Sequence, residues 1–113
     1  GKKALENLTE SMFYVLMSFL RQARCGTEIA EWVRLRTRDR VHLGPGTLYT
    51  ILAKFEEEGF LQETAVEGRK RTYRLTAKGR EAYQLTEAGR RRYEEELARL
   101  RACIADAEEE GAL

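Results

Sequence analysis

The stretch HLGPGTLYTILAKFEEEGF, residues 42–60, constrains this chain most, because it places Gly-Pro-Gly directly before a short amphipathic segment. Proline suits the first position of a helix, where its missing N–H would be unpaired anyway and its fixed φ matches the helix. Apolar residues then recur at i, i+3, i+4 and i+7: Leu48, Ile51, Leu52 and Phe55. This spacing predicts a helix with one buried face, beginning near Pro45 and stopped by Gly59.

The other face of this predicted helix is polar and free of carboxylates: Thr47, Tyr49, Thr50 and Lys54. Such side chains can hydrogen-bond phosphates or the edges of bases. Gly44 and Gly46 on either side of Pro45 let another backbone approach closely, and a helix N-terminus favours an anion. Three glutamates, residues 56–58, lie at the opposite end. We therefore expect any contact with DNA to be made by the first turns of this helix.

A first helix is predicted from the N-cap Thr9 to about Ala23. It has one apolar stripe at helical spacing, formed by Met12, Val15, Leu16, Phe19 and Leu20. Phe13, Tyr14 and Met17 add apolar surface outside that stripe. This surplus predicts contact with a second subunit, although a helix buried deeply within one domain has the same pattern.

A second helix is predicted after Cys25-Gly26 and runs to about Arg38. Its apolar residues are expected inward or at a boundary: Ile29, Trp32, Val33 and Leu35. The tryptophan is interpreted as a core or interface residue rather than as a platform for a ligand. Residues 41–43 leave room only for a very short extended piece before the third helix.

After Gly59 the residues no longer follow helical spacing, and the sequence predicts a β-hairpin. Residues 60–66 favour an extended strand, Glu67-Gly68 predicts a turn, and residues 71–75 form the return strand. No acidic residue occurs from residue 68 to residue 80. The tip and return strand carry four cations: Arg69, Lys70, Arg71 and Arg74. Such a hairpin is either a wing that reaches phosphate or a solvated turn, and the preceding helix favours the wing.

The net charge of +1 conceals an uneven distribution. Residues 1–59 carry 9 basic and 8 acidic side chains, residues 60–92 carry 9 and 4, and residues 93–113 carry 2 and 7. A positive middle beside a negative tail indicates an anionic partner for one region and solvent or self-contact for the other.

The sequence argues against an enzyme, a metal site and a cofactor. It contains one histidine, His42, and two distant cysteines, Cys25 and Cys103, which match no metal-ligand spacing and are expected to be reduced. No catalytic or nucleotide-binding motif is present. No apolar run approaches the roughly 20 residues that cross a bilayer, so we expect a cytoplasmic protein without a membrane partner.

Four segments together resemble the PadR-like family of transcriptional regulators: LTESMFYVLMSFL, CGTEIAEWV, LGPGTLYTILAKFEEEGFL and EGRKRTYRLTAKGR. The resemblance covers nearly the whole chain in the expected order. It implies a winged helix-turn-helix, mainly α with a small β-hairpin, in a dimeric and mostly repressing protein of a bacterium or archaeon. It also implies that the helix beginning at Gly44-Pro45-Gly46 enters the major groove, that Arg69–Arg71 meet the DNA backbone, and that the first and last helices dimerise.

The chain departs from the family pattern at a tandem echo, in which YRLTAKGREAY (73–83) is followed by YQLTEAGRRRY (83–93). The first copy is interpreted as the wing strand and the start of the last helix, with Thr76 as its N-cap. Spacings of three or four in the second copy favour one long helix from about Ala77 to Glu109. The competing arrangement makes the second copy an extra strand and starts the helix near Thr86.

The last helix has a narrow apolar stripe between charged residues: Tyr93, Leu97, Leu100 and Ile104. It either folds back on its own domain or docks on a partner's first helix, and docking on residues 12–20 is favoured. We thus expect a DNA-binding domain at 1–76 and a dimerisation helix at 77–113.

The function predicted from the sequence is that of a sequence-specific regulator, a dimeric repressor that binds an inverted repeat in double-stranded DNA. A protein-interaction module and a non-specific architectural DNA-binding module stay open as alternatives. Some similar proteins release DNA on binding a small aromatic effector. Here Trp32, Tyr14, Phe13 and Phe19 are candidates for a dimer cavity, although ordinary packing explains them as well, and the effector is unknown.

Overall fold

The computed structural model describes residues 9–112, apart from the side chain of Tyr93. Within that range the chain forms four helices and three strands. In chain order these are α1 (Glu10–Ser18), β1 (Arg24–Cys25), α2 (Gly26–Arg36), α3 (Pro45–Glu57), β2 (Leu61–Glu67), β3 (Lys70–Leu75) and α4 (Ala77–Glu109). The predicted class, mainly helical with a small β-hairpin, is confirmed.

Helix α1 starts as predicted, helix α2 starts at Gly26 rather than after it, and both helices end earlier than predicted. Thr9 caps α1, since its hydroxyl oxygen accepts a hydrogen bond from the N–H of Met12 at 3.2 Å. The helix stops at Ser18 rather than near Ala23, and the Ser18 carbonyl accepts a hydrogen bond from Arg24 Nε at 2.5 Å. Helix α2 stops at Arg36 rather than Arg38, because Arg38 adopts a left-handed conformation with φ 52°.

A small antiparallel sheet has the strand order β1, β3, β2. Residues 41–43, expected as a short extended piece, form no strand, and the third strand is instead Arg24–Cys25, which pairs with Tyr73 and Thr72 of β3. Two residues are too few to show an alternating pattern, so this strand could not be predicted. An irregularity between Glu63 and Ala65 interrupts the pairing of β2 with β3.

The core is built where α1, α2 and α3 meet the sheet. The predicted stripe of α3 is fully buried, as are most of the apolar residues of α1, together with Ile29, Val33, Phe60 and Tyr73. Leu35 was expected inward or at a boundary, and this was wrong, because its side chain is 61% exposed. Trp32 is half-buried beside the core, as expected of a boundary residue.

Helix α4 runs from Ala77 to Glu109 as one piece, so the long-helix prediction is confirmed and the alternative with an extra strand is wrong. The hydroxyl oxygen of Thr76 accepts from the N–H of Gly79 at 3.0 Å and caps the helix as predicted. At 1.5 Å per residue the helix is about 50 Å long. Beyond Ala82 its described side chains are half-buried or exposed, so most of α4 extends past the core.

Candidate nucleic-acid interface

The start of α3 is open to approach by another molecule. Gly44 is the N-cap in an extended conformation, Pro45 is the first helical residue, and no other atom lies within 4 Å of the position that a Cβ would take at Gly44 or Gly46. The first N–H groups of any helix lack intrahelical partners and carry a partial positive charge. This terminus can therefore receive an anionic group directly at the backbone.

The predicted polar face of α3 is exposed, and its side chains are partly ordered by their neighbours. The Thr50 hydroxyl donates to the Gly46 carbonyl at 2.9 Å, which leaves its oxygen lone pairs free to accept. Tyr49 is 55% exposed, and its hydroxyl lies 3.3 Å from where a Cβ would stand at Gly26. Thr47 and Lys54 complete the exposed set.

A shallow depression continues along this face of α3. It is bordered by Tyr49, Thr50, Ala53, Lys54, Glu57 and Glu58. The carboxylates are confined to its C-terminal end, where Lys54 supplies one ammonium group, and the N-terminal half of α3 presents hydroxyl groups and the helix terminus. This polarity favours contact with phosphate and bases through the first turns only.

The hairpin carries its four predicted cations in two different environments. Arg71 lies 3.7 Å from a carboxylate oxygen of Glu63, and Arg74 donates to the side chain of Gln62. The prediction from sequence treated the four cations as one set. Side chains alternate between the two faces of a strand, so Arg71 and Arg74 lie on opposite faces of β3.

The remaining two cations, Arg69 in the turn and Lys70 at the start of β3, are exposed, and we call them the wing tip. Neither forms an ion pair with any residue that the structure describes. The wing tip is therefore the part of the hairpin with charge free for an external partner.

Buried contacts fix the hairpin against the end of α3. The Thr76 hydroxyl donates to the Gly59 carbonyl at 2.6 Å, and the Thr76 N–H donates to the Phe60 carbonyl at 2.9 Å. Tyr73 is 3% exposed, and its burial raises the pKa of its hydroxyl. Helix α3 and the wing tip are thus carried by one rigid unit.

Sequence reasoning missed Glu28, which orders the start of α2. Its carboxylate accepts a hydrogen bond from the N–H of Cys25 at 2.8 Å, and this bond holds the pKa of Glu28 below its ordinary value. A glutamate three residues after an N-cap is a recognisable signal. It was obscured because the capping residue is a cysteine.

The residues predicted at a subunit interface fall into two groups. Phe13 is buried and stacks on Tyr83 of the same chain, with ring centroids 5.1 Å apart, so its apolar surface is already covered. Tyr14 and Met17 are half-buried, and the Tyr14 hydroxyl accepts from Arg40 at 3.0 Å. Of the four aromatic residues proposed for a shared cavity, Phe13 and Tyr14 lie edge to face with ring centroids 6.0 Å apart, Phe19 belongs to the core, and Trp32 lines a cavity at the end of α1.

On α4, Leu97 is half-buried, whereas Leu100 and Ile104 are 59% and 50% exposed. The side chain of Tyr93, predicted to belong to this interface, lies outside the part of the structure described. No helix among residues 9–112 is both long enough and apolar enough to cross a membrane.

Solved structures share this architecture. A transcriptional regulator from Clostridium thermocellum is 20% identical, with a TM-score of 0.72 over 88% of this chain and 95% of that one. A PadR family transcription regulator from Clostridium difficile is 18% identical, with a TM-score of 0.70 over 81% and 98%. RosR from H. salinarum is 20% identical, with a TM-score of 0.66 over 95% and 97%. No curated protein matches the sequence.

Three helices, a short turn into the third and a basic hairpin define a winged helix-turn-helix protein. The model of the "Transcriptional regulator PadR-like family" matches residues 15–84, more than half of the chain. The chain belongs to this family. It is a DNA-binding transcriptional regulator and not an enzyme.

Proposed function

We propose that this protein is a homodimeric repressor that binds an inverted repeat and occludes a promoter. The DNA-binding machinery is assigned to residues 1–76 and dimerisation to residues 77–113, in which helix α4 spans Ala77–Glu109. The observation that carries the proposal is the open, carboxylate-free N-terminal half of α3, which faces solvent and is followed along the chain by the exposed cations of the wing tip. The resemblance of the fold to transcriptional regulators supports it.

Each subunit would place the start of α3 in the major groove. Tyr49 and Thr50 are the side chains best placed to contact base edges, because both are exposed and both lie in the first two turns. The backbone at Gly44 and Gly46, with Pro45 between them, would approach a phosphate at the helix terminus. Thr47 and Lys54 would complete the contact on either side.

The wing tip would bind flanking phosphate. Arg69 and Lys70 carry charge with no internal partner among the described residues, whereas Arg71 must leave Glu63 before it can contact DNA. Arg74 would contribute a general positive field, which raises the rate of association more than it specifies sequence.

A second copy of this chain would cover the exposed part of α4. Its stripe of Leu97, Leu100 and Ile104 leaves apolar side chains in water, and a helix that extends past its core is stable only when its apolar face is packed. An open groove lies between α1 and α4, and it is lined by Phe13, Met17 and Tyr83 and by five charged residues: Glu87, Arg90, Arg91, Glu94 and Glu95. This groove is a suitable seat for the partner's α4.

A two-fold dimer would present two copies of α3. Winged and other helix-turn-helix dimers that bind adjacent major grooves place their recognition helices one DNA turn apart, roughly 34 Å. The half-sites of an inverted repeat would then be spaced by the same distance. Such a dimer covers enough DNA to exclude a polymerase from a promoter.

The test is selection of bound duplexes from a random DNA pool at about 150 mM salt, close to physiological ionic strength. We expect enrichment of an inverted repeat with half-sites about one helical turn apart. Binding without enrichment would replace the proposal with an architectural role. No retained DNA would favour a protein-interaction module instead.

Two variants test whether the selected sequence depends on α3. Thr50→Ala should relax the base preference at one or two positions of each half-site, because it removes a hydrogen-bond acceptor from the exposed polar face of α3. Thr86→Ala is the matched control, since Thr86 donates the same kind of hydrogen bond, to the carbonyl of Ala82 at 2.9 Å, but lies on α4. The Thr86→Ala protein should select the wild-type site.

A further inference from the structure

A cavity of about 400 Å³ lies between the end of α1, helix α2 and the first turns of α4. It is lined mainly by Met17, Arg21, Arg24, Trp32, Arg36 and Tyr83. None of these residues belongs to α3 or to the hairpin tip. The cavity is therefore separate from the proposed DNA-binding surface, and its size is that of many small-molecule sites.

The lining of this cavity contains three guanidinium groups and no carboxylate. None of Arg21, Arg24 and Arg36 has a carboxylate oxygen within ion-pair distance among the described residues. Like charges gathered in one cavity repel each other unless an anion lies between them. The cavity thus favours an occupant that carries more than one negative charge.

Two acidic residues that interact electrostatically with residues of the cavity wall already have partners. The carboxylate of Glu28 accepts a hydrogen bond from the N–H of Cys25, and the positive charge of Arg24 also helps to lower the pKa of Glu28. Glu87, whose charge helps to raise the pKa of Tyr83, pairs with Arg91 at 2.6 Å. Neither carboxylate lines the cavity, so the arginines remain available to an external anion.

The cavity wall also contains the indole ring of Trp32. Trp32 and Arg36 are one helical turn apart on α2, and both contribute to the same wall. The guanidinium of Arg24 lies 5.8 Å from the centre of the indole ring and is held by its bond to the Ser18 carbonyl. Burial raises the pKa of Tyr83, so its hydroxyl stays protonated at neutral pH and can donate a hydrogen bond.

We propose that this cavity binds a small phosphate monoester with a flat ring, of the chemical class of a nucleoside monophosphate. The ring packs on Trp32, and the phosphate lies between Arg21 and Arg36. Guanidinium groups match the oxygens of a phosphate in pairs, and a monoester carries nearly two negative charges at neutral pH. A singly charged carboxylate would leave the three arginines less well compensated. This binding goes beyond the proposed DNA-binding function.

Trp32 is the only tryptophan of the chain, so its indole N–H gives one assignable cross-peak in a ¹⁵N–¹H spectrum. The DNA-free protein is titrated with adenosine monophosphate, with adenosine and with inorganic phosphate. We expect a saturable shift of this cross-peak with the nucleotide and binding at least about tenfold weaker for the other two. No shift with the nucleotide, or an equal response to phosphate alone, would overturn the proposal.

Arg36→Met removes one charge and keeps an unbranched side chain, and it should weaken nucleotide binding by at least about tenfold. Arg101→Met makes the same change at an exposed position on α4 and should leave binding unchanged. Arg21→Met provides a second variant of the cavity should Arg36→Met fail to fold. Nucleotide binding that is unaffected in a folded Arg36→Met or Arg21→Met protein would contradict the assigned phosphate position.

Discussion

Gly79 is a residue for which packing overrides helix propensity. A Cβ at this position would lie 2.3 Å from the Phe60 carbonyl oxygen and 2.7 Å from Cδ1 of Leu75. The Phe60 carbonyl cannot shift easily, because it also accepts a hydrogen bond from the N–H of Thr76 at 2.9 Å. The chain therefore retains a residue that weakens a helix by about 1 kcal/mol relative to alanine.

Gly79→Ala should lower the free energy of unfolding by about 1–3 kcal/mol, since the added methyl group has no space. Gly89→Ala is the matched control within the same helix, because no atom lies within 4 Å of its Cβ position. That variant should be stabilised by up to about 1 kcal/mol. Urea unfolding at one fixed protein concentration measures both, and stabilisation by both substitutions would contradict the proposed contact.

Glu28 contributes a stability that depends on pH. The N–H of Cys25 lowers the pKa of its carboxyl group, so the folded state favours the ionised form. The stabilisation is complete above the pKa of Glu28 in the unfolded chain and is lost as pH falls through its lower pKa in the folded chain. Glu28→Gln should destabilise the protein at neutral pH and leave stability unchanged once wild-type Glu28 is protonated.

Chemical denaturation of both proteins across acidic pH tests this expectation. Glu57→Gln, on the exposed end of α3, is a suitable control because it removes the same charge without the bond to Cys25. A constant difference between wild type and Glu28→Gln at all pH values would show that the carboxylate is not the stabilising group.

At the scale of the secondary-structure element, strand pairing in the hairpin separates its four cations into two groups, one with partners and one without partners among the described residues. Arg69 and Lys70 form the wing tip, whereas Arg71 lies near Glu63 and Arg74 contacts Gln62. A sequence reading counts four charges, but the pairing of β2 with β3 supplies neutral or acidic partners to two of them.

Replacing both Arg69 and Lys70 with alanine should weaken binding to all DNA sequences nearly equally, because phosphate contacts carry little sequence information. The dependence of log K on log salt should become shallower by about two units. Fluorescence anisotropy over a range of salt concentrations measures this slope. Arg99→Ala combined with Arg101→Ala removes the same charge from α4 and should leave the slope unchanged.

Adding Arg71→Ala to the wing-tip variant asks whether this arginine leaves Glu63 on binding. A further change of about one unit in the slope would show that Arg71 reaches phosphate. No further change would show that it remains with Glu63. A slope unaffected by all three substitutions would exclude the wing contact.

At the scale of the whole molecule, the outstanding feature is a helix that extends past its own core. The molecule measures 66 Å along its longest axis but only 30 Å and 23 Å across. Leu100 and Ile104 are at least half exposed on that extension. A second copy that packs on α4, as proposed, would complete a protomer of this shape.

Leu100→Glu combined with Ile104→Glu should convert the proposed dimer to a monomer, because it places charge within an apolar contact. Sedimentation velocity measures the association state, and circular dichroism reports the helix content. Ala102→Glu lies on the opposite side of α4 and should remain dimeric. A double variant that sediments like wild type would place the interface elsewhere.

Local chemistry determined much of this protein in advance. Pro45 at the start of α3, the stripe from Leu48 to Phe55, and the caps Thr9 and Thr76 could all be predicted, because spacing and capping act within one helical turn. Family resemblance added the winged helix. The long α4 followed from spacings that continue through the tandem echo.

Only the tertiary structure decided which residues meet across the chain. It paired Arg24–Cys25 with β3, left Leu35 in solvent, stacked Phe13 on Tyr83, and placed three arginines around one cavity. These outcomes depend on contacts between residues distant in sequence, whereas helix periodicity records only which face of an element is apolar. The sequence alone therefore determined the elements, and packing between them decided which side chains remain available to a partner.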